Sequence, residues 1–130
     1  MSAVKEAQVE RESLMRQYYA AVDERDLAKM ASYLDPDIEL IVGNGAPVRG
    51  LGPVQKLVAD SAERLRGTSH EIHAFHHDVA SNRMIIEVAT VFRRLDDRLV
   101  AVPAVGIAHF NSNKLIDKYR IYADLAPVWA

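Results

Sequence analysis

The period of the apolar positions divides this chain into two parts. Up to about residue 67 they recur at three- and four-residue steps, and from His70 onward they alternate. From about Val9 to Asp23, Leu14, Tyr18, Ala21 and Val22 form one stripe, with Glu10, Arg11, Arg16 and Asp23 opposite. That spacing predicts an amphipathic helix. Asp26 is the expected N-cap of a short second helix whose apolar face is Leu27, Met30, Ala31 and Leu34. Pro36 disfavours helical backbone at Asp35 and ends it. "IELIV" at 38–42 is short and β-branched, so it reads as a strand. "GNGAPVRGLG" at 43–52 holds four of the six glycines and predicts a turn. Pro53 then opens a third helix in the favoured first-turn position. Its stripe is Val54, Leu57, Val58 and Leu65, and Gly67 is its expected stop.

Four strands are predicted after that, at roughly 70–79, 83–94, 98–110 and 114–124. The intervening "ASN", "LDD" and "NSN" are short and turn-forming. Helix, helix, strand, helix, then an antiparallel meander is an α+β order. No repeat and no Pro/Gly/Ser linker interrupts it, so residues 1–130 read as one domain.

Composition narrows the classes. Eighteen acidic and sixteen basic residues give a formal net charge of −2, which argues against a nucleic-acid partner. With no cysteine, disulfides, thiol catalysis and thiolate metal sites are excluded. "MSAVKEAQVERES" lacks the apolar core of a signal peptide. No apolar run approaches the ~20 residues needed to cross a bilayer. The expectation is a cytoplasmic protein without a membrane partner.

With "YYAAVDERDLAKMASYLDPDIEL" near its start and "NKLIDKYRIYADLAPVW" at its end, the chain resembles the SnoaL-like branch of the nuclear-transport-factor-2-like superfamily. The resemblance implies a cone: a strongly curved, mainly antiparallel sheet with three helices packed on its concave side. It also implies a homodimer through the outer sheet face. Ketosteroid isomerases, polyketide cyclases, limonene-epoxide hydrolases, dehydratases and non-catalytic proteins share this fold, so activity has to come from the pocket.

The known catalytic sets transfer poorly. The isomerase tyrosine falls on Tyr18, but its aspartate base falls near Val42 and its second aspartate near Ala108. The epoxide-hydrolase Asp–Arg–Asp cluster falls on Ile121, Val88 and Thr90. If Ile121 faces the hollow, period two puts Leu115, Asp117, Tyr119 and Ala123 with it. Arg120, Tyr122 and Asp124 then lie outside with Lys118 and Glu87. The expected pocket is mostly apolar, with Leu40, Val42, Ile86, Val88, Ala104, Gly106, Ala108, Phe110 and Ile121. Asn44, Thr90, Tyr18, His76 and Tyr119 are its polar points.

Such a pocket suits a small hydrophobic ligand. The four histidines at 70, 73, 76 and 77 do not suit a metal. On a strand, His73 and His77 stand ~13 Å apart at ~3.3 Å per residue, and His73 and His76 face opposite sides. Neither a metal nor a cofactor is expected. Three functional classes follow. One is an isomerase, cyclase or dehydratase with Tyr18 as donor and His76 or Tyr119 moving a proton. The second is a binding protein for a hydrophobic metabolite. The third is a dimeric interaction module.

Overall fold

The structure, a computed structural model, describes residues 2–130. Ser2 caps the first helix, α1 (Ala3–Asp23), by accepting a hydrogen bond from the Lys5 amide. α1 starts six residues before the expected Val9, and its fully buried stripe is Met15, Tyr18, Tyr19 and Ala21. Asp26 caps α2 (Leu27–Ala31) through the Lys29 amide, as its position predicts, and Met30 is the residue that helix buries. α3 (Leu51–Glu63) turns Val54 inward and carries Pro53 in its first turn.

Six strands form one sheet: β1 (Leu34–Val42), β2 (Val48–Arg49), β3 (Leu65–Asp78), β4 (Arg83–Arg94), β5 (Leu99–Phe110) and β6 (Ile116–Ala123). Their order is β2-β1-β6-β5-β4-β3. Every pairing is antiparallel except β1 with β6. β1 takes in the Asp35–Pro36–Asp37 run, where the pairing with β6 slips between Leu34 and Glu39. A proline donates no ladder hydrogen bond, so it is tolerated at such an irregularity. β3 begins at Leu65, so Gly67 is a strand residue and does not end a helix.

Three further irregularities re-aim side chains. β3 and β4 pair Leu65 with Arg94 but Gly67 with Arg93, so Arg66 is an extra residue. β3 and β4 pair Ile72 with Val88 but Ala74 with Glu87, so His73 is an extra residue. β5 and β6 pair His109 with Lys118 but Phe110 with Ile116, so Asp117 is another. One inserted residue exchanges the two faces of everything beyond it. The turns after β3, β4 and β5 each use a non-glycine residue at positive φ: Asn82, Asp97 and Lys114. A short α4 (Ala126–Trp129) ends the chain and buries Val128. The Arg94 guanidinium holds it by donating to the Val128 carbonyl at 3.0 Å.

The narrow end of the curved sheet is packed solid. Met84, Ile86 and Val88 of β4 join Ala108, Phe110 and Tyr119 in one buried cluster with Met15, Tyr18 and Tyr19 of α1. Towards the wide end, Thr90 and Phe92 continue the inward row of β4, and there the helices stand clear of the sheet.

Candidate functional site

A cavity of about 330 Å³ occupies that wide end, between α1, α3 and α4 on one side and the sheet on the other. Its wall is mostly apolar, with Leu40 and Val42 from β1, Val102 and Ala104 from β5, and Ile121 and Ala123 from β6. This size falls within the range of small-molecule sites.

The chemistry gathers at one place on the wall. Asp23, at the end of α1, lies against the early part of β3. One of its carboxylate oxygens accepts from the His70 amide at 2.9 Å, and the other contacts His70 Nδ1 at 2.6 Å. The Thr68 hydroxyl donates to the same carboxylate at 3.3 Å. With Nδ1 directed at a carboxylate, that nitrogen carries the proton, and Nε2 is left as the basic atom. Nε2 has no hydrogen-bond partner among the described residues, and His70 lines the cavity. The Tyr19 ring stacks on the imidazole at 4.6 Å between centroids, which fixes its plane.

Thr90 sits directly across from His70 in the β3–β4 pairing. It is a buried polar residue whose hydroxyl makes no hydrogen bond to the described residues, and it too lines the cavity. The Tyr18 hydroxyl is likewise unbonded within the described residues, although Tyr18 is only 5% exposed. Its ring meets those of Tyr19 and Tyr119 edge-on, at 5.6 and 5.9 Å. Burial raises the Tyr18 phenol well above its ordinary value, and the neighbouring Tyr19 adds to the rise. Tyr18 therefore stays protonated and can act as a hydrogen-bond donor. Tyr19 is pushed up to about 12, chiefly by burial, with Asp23 adding to the rise and the Tyr119 hydroxyl opposing it. Burial also raises Tyr119, whose hydroxyl is hydrogen-bonded to that of Tyr19.

Of the residues expected from the sequence, Tyr18, Leu40, Val42, Thr90, Ala104 and Ile121 lie on the cavity wall. Ile86, Val88, Ala108 and Phe110 face inward but are sealed in the packed end, because Met15, Tyr18 and Tyr19 of α1 share their cluster. Tyr119 also lies in that cluster, with its hydroxyl engaged by Tyr19. Gly106 lies beneath the Tyr119 ring. Asn44 belongs to the turn after β1, outside the cavity lining.

His76 is corrected. It stands on the outer face, 56% exposed, with Nε2 at 2.6 Å from Glu87. The extra residue at His73 reverses the alternation, so His77 points in and His76 out. His77 is nearly buried and pairs with Glu12 of α1 at 2.7 Å. Asp117 is corrected for the same kind of reason: as the extra residue of β6 it pairs with His109 at 2.5 Å and leaves the inward row. Arg120 and Tyr122 lie outside together, with the guanidinium 4.8 Å from the ring centroid. Among the described residues Arg120 forms no ion pair with Asp124 or Glu87, so no epoxide-hydrolase-like cluster assembles. No group of three His, Cys, Asp or Glu side chains suited to a metal occurs among the described residues. No helix among them is long and apolar enough to cross a membrane.

The family model for the SnoaL-like domain matches residues 15–118, which spans α1 to β6 and includes both Asp23 and His70. The chain belongs to the SnoaL-like domain family. Its fold superposes on an NTF2-like protein of unknown function from Burkholderia pseudomallei with a TM-score of 0.81 at 16% identity, covering 92% of this chain and 94% of that one. A putative SnoaL-like polyketide cyclase from Shewanella denitrificans gives a TM-score of 0.79 at 14% identity, covering 92% and 93%. An LEH-like epoxide hydrolase of M. tuberculosis gives 0.76 at 17% identity, covering 90% and 84%. At these identities the likeness concerns the fold. No curated protein matches the sequence.

Asp23 and His70 were individually visible in the sequence as a helix-end acid and one of four close histidines. Nothing local joins residues 47 positions apart. Strand parity alone does not find it: counted from the buried Leu65, His70 falls on the outward face, and only the extra residue at Arg66 turns it inward with Thr68 and Ile72.

Proposed function

We propose that this SnoaL-like protein binds a hydrophobic carbonyl compound in its cavity and moves a proton on it, with His70 as the base. The observation that carries this reading is the Asp23–His70 pair. A carboxylate fixes one ring nitrogen, and the other is free at the wall of an apolar, partly enclosed space.

In this mechanism His70 Nε2 removes a proton from the carbon next to the carbonyl. The C–H electron pair moves into the carbon–carbon bond, and the carbonyl π pair moves onto oxygen. The Tyr18 hydroxyl donates to the resulting enolate oxygen, with Thr90 as a second donor across from the imidazole. Asp23 stabilises the imidazolium through Nδ1–H. The imidazolium then returns its proton at another carbon, or gives it to a β-hydroxyl that the enolate expels as water. In cyclisation it gives the proton to the alkoxide formed when the enolate carbon closes onto a second carbonyl. Each route restores neutral His70. Isomerisation, dehydration and cyclisation share this first step. A positioned base of this kind contributes typically ~10²–10⁴-fold.

5-Nitrobenzisoxazole tests it, because its ring opens when a base takes one C–H proton and no other group is required. The wild-type protein should open it on the order of 10²-fold faster than free imidazole at equal concentration. His70→Ala should abolish that gain, and Asp23→Asn should reduce it sharply. Equal rates in wild type and His70→Ala would reject His70 as the base.

The same reading includes a second copy of the chain on the outer sheet face. Ile85, Val105 and Tyr122 are exposed there, and Val105 pairs with Tyr122 across the β5–β6 ladder. Exposed apolar groups clustered on one sheet face suit a self-complementary contact. Sedimentation should give a dimer mass for the wild type and a monomer mass for Val105→Lys. A wild-type monomer would reject the pairing.

A further inference from the structure

The charges around the cavity are one-sided. Arg25 and Arg64 line it, and no carboxylate does. The chain as a whole is acidic, with a net charge of −2, so general composition does not account for this. Neither guanidinium forms an ion pair among the described residues, although both are exposed at the cavity mouth. Both are instead held in place by uncharged groups. Arg25 follows α1 with a left-handed φ of 60° and donates to the Leu65 carbonyl at 2.9 Å. Arg64 lies over the Trp129 ring, its guanidinium carbon 3.9 Å from the centroid. Trp129 is fixed in turn, because Arg94 holds the Val128 carbonyl next to it.

The Arg64 side chain makes no hydrogen bond among the described residues, so its N–H groups remain available to bind a carboxylate through two parallel bonds. Arg25 uses one of its five N–H groups on Leu65 and keeps the rest. Leu65, beside both arginines, lies five residues from His70 along β3. At ~3.3 Å per strand residue the mouth and the base are roughly 15 Å apart. The cavity thus has a basic rim, a greasy middle and a proton-accepting far end.

Resting on the proposed function, we infer that the ligand is an amphipathic acid: an elongated carbonyl compound with a carboxylate at the end remote from the reacting carbon. Arg25 and Arg64 receive that carboxylate and set which end enters first. They are specificity residues and take no part in the proton transfer.

The test uses anthraquinone-2-carboxylic acid and its methyl ester, titrated calorimetrically into the intact protein. The pair differs only in the charge at one end. The acid should bind on the order of tenfold tighter than the ester, a size set by charge-assisted hydrogen bonds at a partly hydrated rim. The Arg25→Gln/Arg64→Gln double variant should bind acid and ester equally, and an unchanged circular dichroism spectrum would show that its fold is intact. The preference should shrink as salt is raised. Equal binding of acid and ester to the wild type would overturn this inference and leave the His70 reading standing. A preference that survives in the double variant would also overturn it. Binding of neither compound would overturn it together with the cavity reading, whereas the nitrobenzisoxazole rates report on His70 separately.

Discussion

Gly106→Ala converts the packing beneath the tyrosine cluster into a measurable quantity. A Cβ at position 106 would lie 2.7 Å from both Cε1 and the hydroxyl oxygen of Tyr119, and 3.1 Å from Cζ. Ordinary carbon contacts are ~3.5–4.0 Å, so the ring has to retreat by close to an ångström. It has little room to do so. Tyr119 is 2% exposed, Tyr18 meets it edge-on, and its hydroxyl is bonded to Tyr19. Overpacking of this kind costs about 1–3 kcal/mol, and a displaced hydroxyl bond adds ~1 kcal/mol. Gly106 is not among the residues at positive φ, so the alanine backbone is unstrained and restores ~0.4–1 kcal/mol through the unfolded state. The net loss is roughly 1–3 kcal/mol, which at this length lowers Tm by about 4–12 °C. Urea unfolding of Gly106→Ala, Tyr119→Leu and the double variant would measure it. The shorter leucine relieves the clash, so the double variant should be more stable than the two single losses added together. A Gly106→Ala protein as stable as wild type, or strict additivity in the double variant, would refute the packing argument.

Three further outcomes follow from the same geometry. Tyr19 has a folded-state value near 12 against an ordinary 10.0, so it holds its proton in the native state after the unfolded chain has released it. Its stabilising contribution is therefore complete below about pH 10 and disappears as pH rises towards 12, at ~1.4 kcal/mol per pH unit. Tyr18 and Tyr119 are raised in the same direction and steepen the fall. Denaturant midpoints that stay flat from pH 9.5 to 11.5 would contradict this. Tyr18→Phe removes a hydroxyl that bonds nothing among the described residues, so Tm should move by less than ~3 °C while ligand affinity falls several-fold; unchanged affinity would exclude Tyr18 from the site. In the Val105→Lys monomer, His76→Ala cuts an exposed pair with Glu87, so stability should change by under ~1 kcal/mol. Ring-opening activity should not change, and its loss would mean that the outer face contributes to the chemistry.

Much of the architecture was legible because burial enforces periodicity. Tyr18 appears in the helical stripe, and Thr90, Ala104 and Ile121 appear in the alternation of their strands, because each has to face the interior. Asp26 announces α2 for a local reason, its bond to the Lys29 amide. What escaped was non-local or aperiodic. An extra residue in a strand leaves no mark in composition, yet His73 and Asp117 each reverse the faces beyond them and so misplace His76 and Asp117 itself. The boundary between packed core and open cavity was equally invisible. Val88 and Thr90 are consecutive inward residues of β4, and only where the helices lie decides that one is sealed and the other faces the hollow. The Asp23–His70 pair depends on the end of α1 meeting β3, which neither segment encodes alone.

The tautomer and contacts of His70 are the most direct check. A long-range ¹H–¹⁵N spectrum of the imidazole, recorded at neutral pH with and without anthraquinone-2-carboxylic acid, reports both nitrogens at once. The account predicts a protonated, strongly hydrogen-bonded Nδ1 that loses its downfield proton in Asp23→Asn, and a bare Nε2 whose resonance alone moves when the ligand enters. A proton resident on Nε2, or ligand binding that leaves both nitrogens unmoved, would contradict it.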